Sequence, residues 1–206
     1  MTVKEFFKSN AFKSLAVLIA IVLVAGALLA IFNDILYISD EERLNRTLSK
    51  IYGESVSAQP VEVSAEDAEN EYGTVNSIYF ITDDGNYLVN TTGKGGFRDG
   101  AGTVTLWTVI ACTEGENGKA LTGIEKVVYE SNEGQTYIST LSGAFYEGFT
   151  QKNDLIAAGG YFNADKDAPD DLTNIATGAS QSSNAACNAV NTALCYFRAV
   201  LSGGAQ

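Results

Sequence analysis

Histidine is absent from the 206 residues. That excludes Ser-His-Asp and Cys-His catalysis and every metal site that needs imidazole. Positive charge is scarce: 13 Lys and Arg stand against 25 Asp and Glu, for a net charge of -12. No basic patch stands out, which argues against nucleic acid as a partner. There are three cysteines, Cys112, Cys187 and Cys195, and none forms a C-x-x-C pair. Zinc, iron–sulfur and thioredoxin-like readings therefore lack support. Cys187 and Cys195 fall on one expected helix, about 12 Å apart along its axis. That is too far for a disulfide. All three are expected to be small buried hydrophobes. Any chemistry must come from carboxylates, hydroxyls, thiols or a cofactor.

Charge is also missing from Ser14 to Asn33, SLAVLIAIVLVAGALLAIFN. As a helix this run spans about 30 Å, the thickness of a hydrocarbon core. A signal peptide has a shorter apolar region and a small-residue cleavage site. Here the run passes directly into IFNDILYISDEERL, so an uncleaved anchor is expected. Lys4, Lys8 and Lys13 precede it, while Asp34, Asp40, Glu41 and Glu42 follow. Basic residues on the short side place the N terminus in the cytoplasm and the large acidic domain outside. A pilin-like reading fails, because Glu5 lies before the run and no Gly-Phe processing site precedes it.

Three segments follow. Residues 1–38 hold the N terminus and the transmembrane helix. Residues 39–73 hold a juxtamembrane helix and a linker. Residues 74–206 form the outer domain. SDEERLNRTLSKIY, residues 39–52, reads as an amphipathic helix with Ser39 and Glu42 as a capping box. Residues 55–73 read as a linker or an edge strand. SIYFIT (77–82) and NYLVN (86–90) flank DDG, a hairpin signal. TVTLWTVIAC (103–112) and LTGIEKVVYE (121–130) flank the longer loop TEGENGKA. The strands alternate and are rich in β-branched residues. SNEGQTYIS reads as a polar loop, TLSGAFYEGF (140–149) as a short helix and residues 150–171 as irregular. Ser182 to Leu201 reads as the last helix, with Ala186, Val190, Ala193, Leu194, Phe197 and Leu201 on one face. Strands first and helices after predict an α+β domain.

The glycine cluster GKGGFRDGAG lacks the spacing of a P-loop or a dinucleotide fingerprint and reads as turns. No pair of carboxylates is marked out as acid and base, so no catalytic residue is expected. One stretch stands apart: TNIATGASQSSNAACNAV, residues 173–190. It sets Thr177, Gly178, Ala179 and Ser180 before a helix start, with hydroxyls again at Ser182 and Ser183. A helix start offers free N–H groups and a positive dipole end, which suits a phosphate. The same residues also suit an ordinary cap by Ser182 or Ser183 inside a small-residue turn.

The stretch resembles the [S/T]-G-A-[T/S]-x-[S/T] signature of the FMN-binding domain family. That family includes the G subunit of the Rnf electron-transport complex and the C subunit of the sodium-translocating NADH:quinone reductase. Thr177, Gly178, Ala179, Ser180, Gln181, Ser182 and Ser183 stand in the signature. The plan of the chain is similar too: one membrane span, a short acidic helix, then an α+β domain ending in the motif. The resemblance implies FMN held by a phosphoester to Ser180. It implies a flavin transferase that uses FAD and a divalent metal and releases AMP. It implies an electron-transfer role, without turnover of its own, among the membrane and redox subunits of an Rnf-type ferredoxin:NAD oxidoreductase coupled to ion transport. The family's E-T-P-G-L-G loop has its nearest counterpart in ESNEGQT, residues 130–136, which implies flavin contacts at Glu130, Ser131, Gly134 and Thr136. Ser180 stands where the family usually has threonine, and Asn174 where it often has aspartate. Two other readings are a stand-alone extracytoplasmic FMN carrier or sensor, and a structural or adhesion protein without flavin.

Overall fold

The computed structural model describes residues 10–36, 39–54, 56–97, 100–115, 118–165, 167, 174–175 and 179–203. The chain divides into two compact units, residues 1–48 and 49–206. The first is dominated by helix α1 (Asn10–Leu36). Its stretch Phe12–Phe32 is long and apolar enough to cross a membrane. Helix α2 (Asp40–Tyr52) follows. Ser39 Oγ accepts the Glu42 N–H at 3.2 Å, as the sequence predicts. The Glu42 carboxylate, however, turns forward to Arg46 at 2.7 Å. Only half of the capping box therefore forms.

The second unit is α+β, built on a five-stranded antiparallel sheet in the order β1-β2-β3-β4-β5. The strands are β1 (Ala58–Val61), β2 (Gly73–Ile81), β3 (Tyr87–Gly93), β4 (Thr103–Gly115) and β5 (Gly118–Glu133). β1 is the edge strand that the 55–73 segment allowed. The β2–β3 hairpin forms around the expected turn, but β2 begins four residues earlier than 77 and β3 runs on to Gly93. The β4–β5 hairpin is longer than expected: TEGENGKA is largely strand, and Gly115 pairs with Gly118. Glu114 and Lys119 face each other there as an ion pair, and such cross-strand pairs extend a ladder beyond its apolar residues. β5 also runs through Ser131, Asn132 and Glu133, expected as loop, because Thr103, Val104 and Thr105 give them partners.

Beyond β5 lie two short helices, α3 (Gly143–Gly148) and α4 (Asn153–Ala157), separated by a 3-10 turn at Phe149–Lys152. The expected helix at 140–149 is thus six residues long, and part of the expected irregular stretch is helical. Aromatic packing explains both. Phe145 meets Phe149 edge-on at 5.4 Å, and Phe149 meets Phe162 at 4.9 Å. Ile156 of α4 joins the same cluster. On the outer edge of β5, Asn153 pairs one residue: its Oδ1 accepts from Ile124 N–H at 2.8 Å and its Nδ2 donates to Ile124 C=O at 3.2 Å. Pairing an edge by a side chain removes a template for strand addition.

The last helix, α5 (Ser180–Tyr196), continues as a π-helical turn over Phe197–Leu201. Of its expected apolar face, Ala186, Val190, Ala193, Leu194 and Phe197 are buried, and Leu201 is half-buried. α5 lies on one face of the sheet. Thr91 Oγ1 donates to the Ala189 carbonyl at 2.7 Å, and Tyr87 meets Phe197 edge-on at 5.9 Å. Alanines on the helix and glycines on the sheet allow this approach. A Cβ on Gly93 would lie 2.1 Å from Ala189 N and 2.2 Å from Ala185 O.

The three cysteines are free; Cys112 and Cys187 are buried and Cys195 is half-buried. Burial pushes the Cys187 thiol well above its ordinary value. Burial, with the neighbouring Tyr129, pushes the Tyr146 phenol up to about 12. Both groups bind their protons more tightly folded than unfolded. Their stabilisation is full below the unfolded values, about 8.5 and 10, and is lost as pH rises through the folded ones. Urea titrations should show stability holding up to about pH 8 and falling above pH 9. Equal stability at pH 8 and pH 10.5 would refute this.

Candidate cofactor site at the start of the last helix

The motif residues sit where α5 begins. Thr177 and Gly178 lie outside the described residues. Ala179 is the N-cap and Ser180 the first helical residue. The helix therefore starts earlier than the sequence reading placed it. Ser182 and Ser183 are not its caps; both are buried inside the first turn. The helix can start early because Ser182 finds a partner off the helix. Its hydroxyl donates to Gln135 Oε1 at 2.9 Å.

Ser183 N–H donates to Ala179 C=O at 2.9 Å, the first bond of the helix. The N–H groups of Ser180, Gln181 and Ser182 have no acceptor within the helix. No side chain caps them from Ala179. The dipole adds positive potential at this end. Ser180 is half-buried, Gln181 is exposed, and both border an open cleft of about 320 Å³. Among the described residues, Gly95, Asn163, Ala164, Asp165 and Asn184 also line it. The volume lies at the lower end of small-molecule clefts, about 300–1,000 Å³. A larger depression of about 580 Å³ is lined, among the described residues, by residues 150–155, remote from the motif in sequence.

Two loops form the walls. On one side, Asn184 Nδ2 donates to Gly95 C=O at 2.8 Å and Asn188 Nδ2 to Lys94 C=O at 2.7 Å. Ser180, Asn184 and Asn188 are spaced by four and share one helix face. On the other side, Ile175 N–H donates to Asn163 C=O at 3.0 Å, and the Asn174 amide donates to Asp165 C=O. An aspartate side chain at position 174 has no N–H to make that bond, so Asn174 has a structural use in this chain. Asp165 Oδ1 accepts Asp167 N–H at 2.9 Å, which turns one carboxylate oxygen back into its own loop. Deeper, Asn191 bonds both Phe162 N–H, at 2.9 Å, and Phe162 C=O, at 2.8 Å. That anchors the loop from beneath.

Residues 130–136 divide. Glu130 accepts a hydrogen bond from Asn90. Asn90 neighbours Thr91, which faces α5, so Asn90 and its partner Glu130 belong to the opposite face of the sheet. Ser131 pairs with Thr105 in the β4–β5 ladder. Gly134 turns the chain with φ of +65°, and Thr136 is exposed. The residue this segment brings to α5 is Gln135, which the sequence reading missed. Gln135 Oε1 also accepts Phe97 N–H at 3.3 Å. Its Nε2 lies against glycines: a Cβ on Gly96 would fall 1.8 Å from it, and one on Gly102 2.6 Å. One amide therefore joins β5, the glycine loop and the first turn of α5. Among the described residues, no group of three or more Cys, Asp or Glu is placed to hold a metal ion.

Compared with known proteins, the chain matches no family model, no curated protein and no solved structure. Its candidate function therefore rests on the motif and on this geometry.

Proposed function

We propose that this chain carries FMN as a phosphoester on Ser180 and relays electrons from a membrane anchor, as a subunit of an Rnf-type complex. The observation that carries the reading is the Ser180 hydroxyl. It is half-buried at the rim of the cleft, on the first residue of α5, and makes no hydrogen bond among the described residues. A phosphate on that oxygen lies beside the first-turn N–H groups that have no acceptor within the helix, where anionic groups are favoured.

The attachment step balances with FAD as donor. The Ser180 Oγ–phosphorus bond forms while the pyrophosphate P–O bond of FAD breaks. AMP leaves with the bonding electron pair, and the hydroxyl proton passes to a base of the flavin transferase. Ser180 is an acceptor of the group and takes no part in later turnover. Bound flavin would supply the one- and two-electron redox chemistry, which is the cofactor's own. The chain's own share is to hold the phosphate at α5, to shape the cleft through Asn163–Asp165 and Gly95, and to fix the first turn through Gln135. Asn184 and Asn188 donate to the backbone on the same helix face, which holds the glycine loop beside Ser180. Lys4, Lys8 and Lys13 ahead of the span support a cytoplasmic N terminus and an extracytoplasmic flavin domain.

The test is production with a flavin transferase, denaturation and gel electrophoresis. The wild-type band should fluoresce as flavin. Ser180→Ala should lose the signal, while Ser182→Ala should keep it. A fluorescent Ser180→Ala band would sink the assignment to Ser180.

A further inference from the structure

The glycine loop whose Gly95 lines the cleft also carries one ring of an aromatic pair, Phe97 and Tyr137. Tyr137 is 58% exposed. Phe97 is half-buried, and the two rings meet edge-on with centroids 6.3 Å apart. A lone exposed aromatic residue is ordinary. This pair is built. Phe97 rides on a closed glycine loop: Gly95 N–H bonds Gly100 C=O at 3.2 Å, Gly96 N–H bonds Gly102 C=O at 2.9 Å, and Gly102 N–H bonds Phe97 C=O at 2.8 Å. That loop is held to α5 by Asn184 and Asn188, on the helix face that carries Ser180. Tyr137 follows Gln135 by two residues, and Gln135 Oε1 accepts from both Phe97 N–H and Ser182 Oγ. The two rings are thus tied to the first turn of α5 from both sides. Phe97 lies two residues beyond Gly95, which lines the cleft, and neither ring enters the buried core.

We propose that Phe97 and Tyr137 form the shelf on which the isoalloxazine ring of a flavin esterified to Ser180 stacks. The inference rests on the Ser180 reading above and adds what holds the far end of the group. A phosphoester fixes only the phosphate; the ribityl chain leaves the ring free to move. Aromatic faces are the surfaces that hold such a ring, by offset stacking or edge contact. The exposed Tyr137 phenol also donates a hydrogen bond, which can meet the carbonyl edge of the ring. The cleft at Ser180 is open and short for a whole flavin, so the ring extends past Gly95 towards Phe97. Stacking against tyrosine quenches flavin emission in the native protein.

The experiment compares two readouts on the full-length chain, loaded with FMN by a flavin transferase. Fluorescence of the denatured band reports attachment. Native-state emission and visible circular dichroism of the flavin report the stack. Tyr137→Ala should leave band fluorescence unchanged, raise native emission several-fold and flatten the visible dichroism. Phe97→Ala should shift both in the same direction. Tyr137→Trp, which restores a stacking quencher, should return native emission to the wild-type level. Tyr137 is exposed, so its truncation leaves the fold intact, and far-ultraviolet dichroism checks this. Full band fluorescence with native emission unchanged in Tyr137→Ala overturns the shelf alone. A wild-type band without flavin fluorescence overturns the ester and the shelf together.

Discussion

Gly93→Ala should destabilise the second unit by about 3 kcal/mol or more, the upper range for overpacking. The added methyl would meet the backbone of α5, with Ala189 N at 2.1 Å, Ala185 O at 2.2 Å and Ala189 Cα at 2.7 Å. Backbone cannot rotate away as a side chain can. The helix must lift from β3, and Thr91 Oγ1 must release the Ala189 carbonyl. Native stability is of the order of 5–15 kcal/mol, so the loss is a large share of it. For a chain of this size the melting temperature should fall by roughly 6–12 °C. Gly143→Ala is the control, because nothing lies within 4 Å of its added Cβ. It should shift stability by no more than about 1 kcal/mol. Equal melting curves for the two variants would show that α5 does not press on the sheet at Gly93.

Asn191→Leu should cost about 2–5 kcal/mol, because it strands two buried backbone groups at once. Asn191 is 1% exposed, and its amide supplies the bonds of Phe162 N–H and C=O. Leucine fills a similar volume but offers neither donor nor acceptor. The loss also has a functional side. Phe162 leads directly into Asn163, Ala164 and Asp165, which form one wall of the cleft. Hydrogen exchange at the Phe162 amide should rise sharply in the variant, and urea titration should show the loss of stability. Unchanged exchange at Phe162 would mean that the loop is held by other contacts.

Some of this architecture was legible in the sequence because it depends on local pattern. The apolar run that becomes α1, the existence of the β2–β3 hairpin, and the burial of Ala186, Val190 and Phe197 follow from local pattern, whereas β3 is buried on both faces from Leu88 to Thr91 and does not alternate. The ends of elements were not legible in the same way. β4 and β5 extend through polar residues because they find each other, and cross-strand pairing leaves no mark in either strand alone. The start of α5 was misplaced for a related reason. A run of hydroxyls reads as a choice of caps, whereas Ser182 is satisfied by Gln135, 47 residues away. Gln135 itself gave no signal. A single polar residue after a strand looks like loop until its neighbours Gly96 and Gly102 are seen to make room for its amide. Asn191 was hidden too, since an asparagine in an alanine-rich helix gives no hint of the loop it anchors. The motif marked Ser180 as a candidate site; the cleft walls and the aromatic pair became visible only through tertiary contacts.

The most direct measurement of the central claim is mass spectrometry of the chain produced with a flavin transferase. Trypsin should release a peptide ending at Arg198 that contains Thr177, Ser180, Ser182 and Ser183. The account predicts a mass gain on that peptide equal to FMN less one water, with fragmentation placing it on Ser180. A peptide of unmodified mass, or the same gain on Thr177, Ser182 or Ser183, would contradict it.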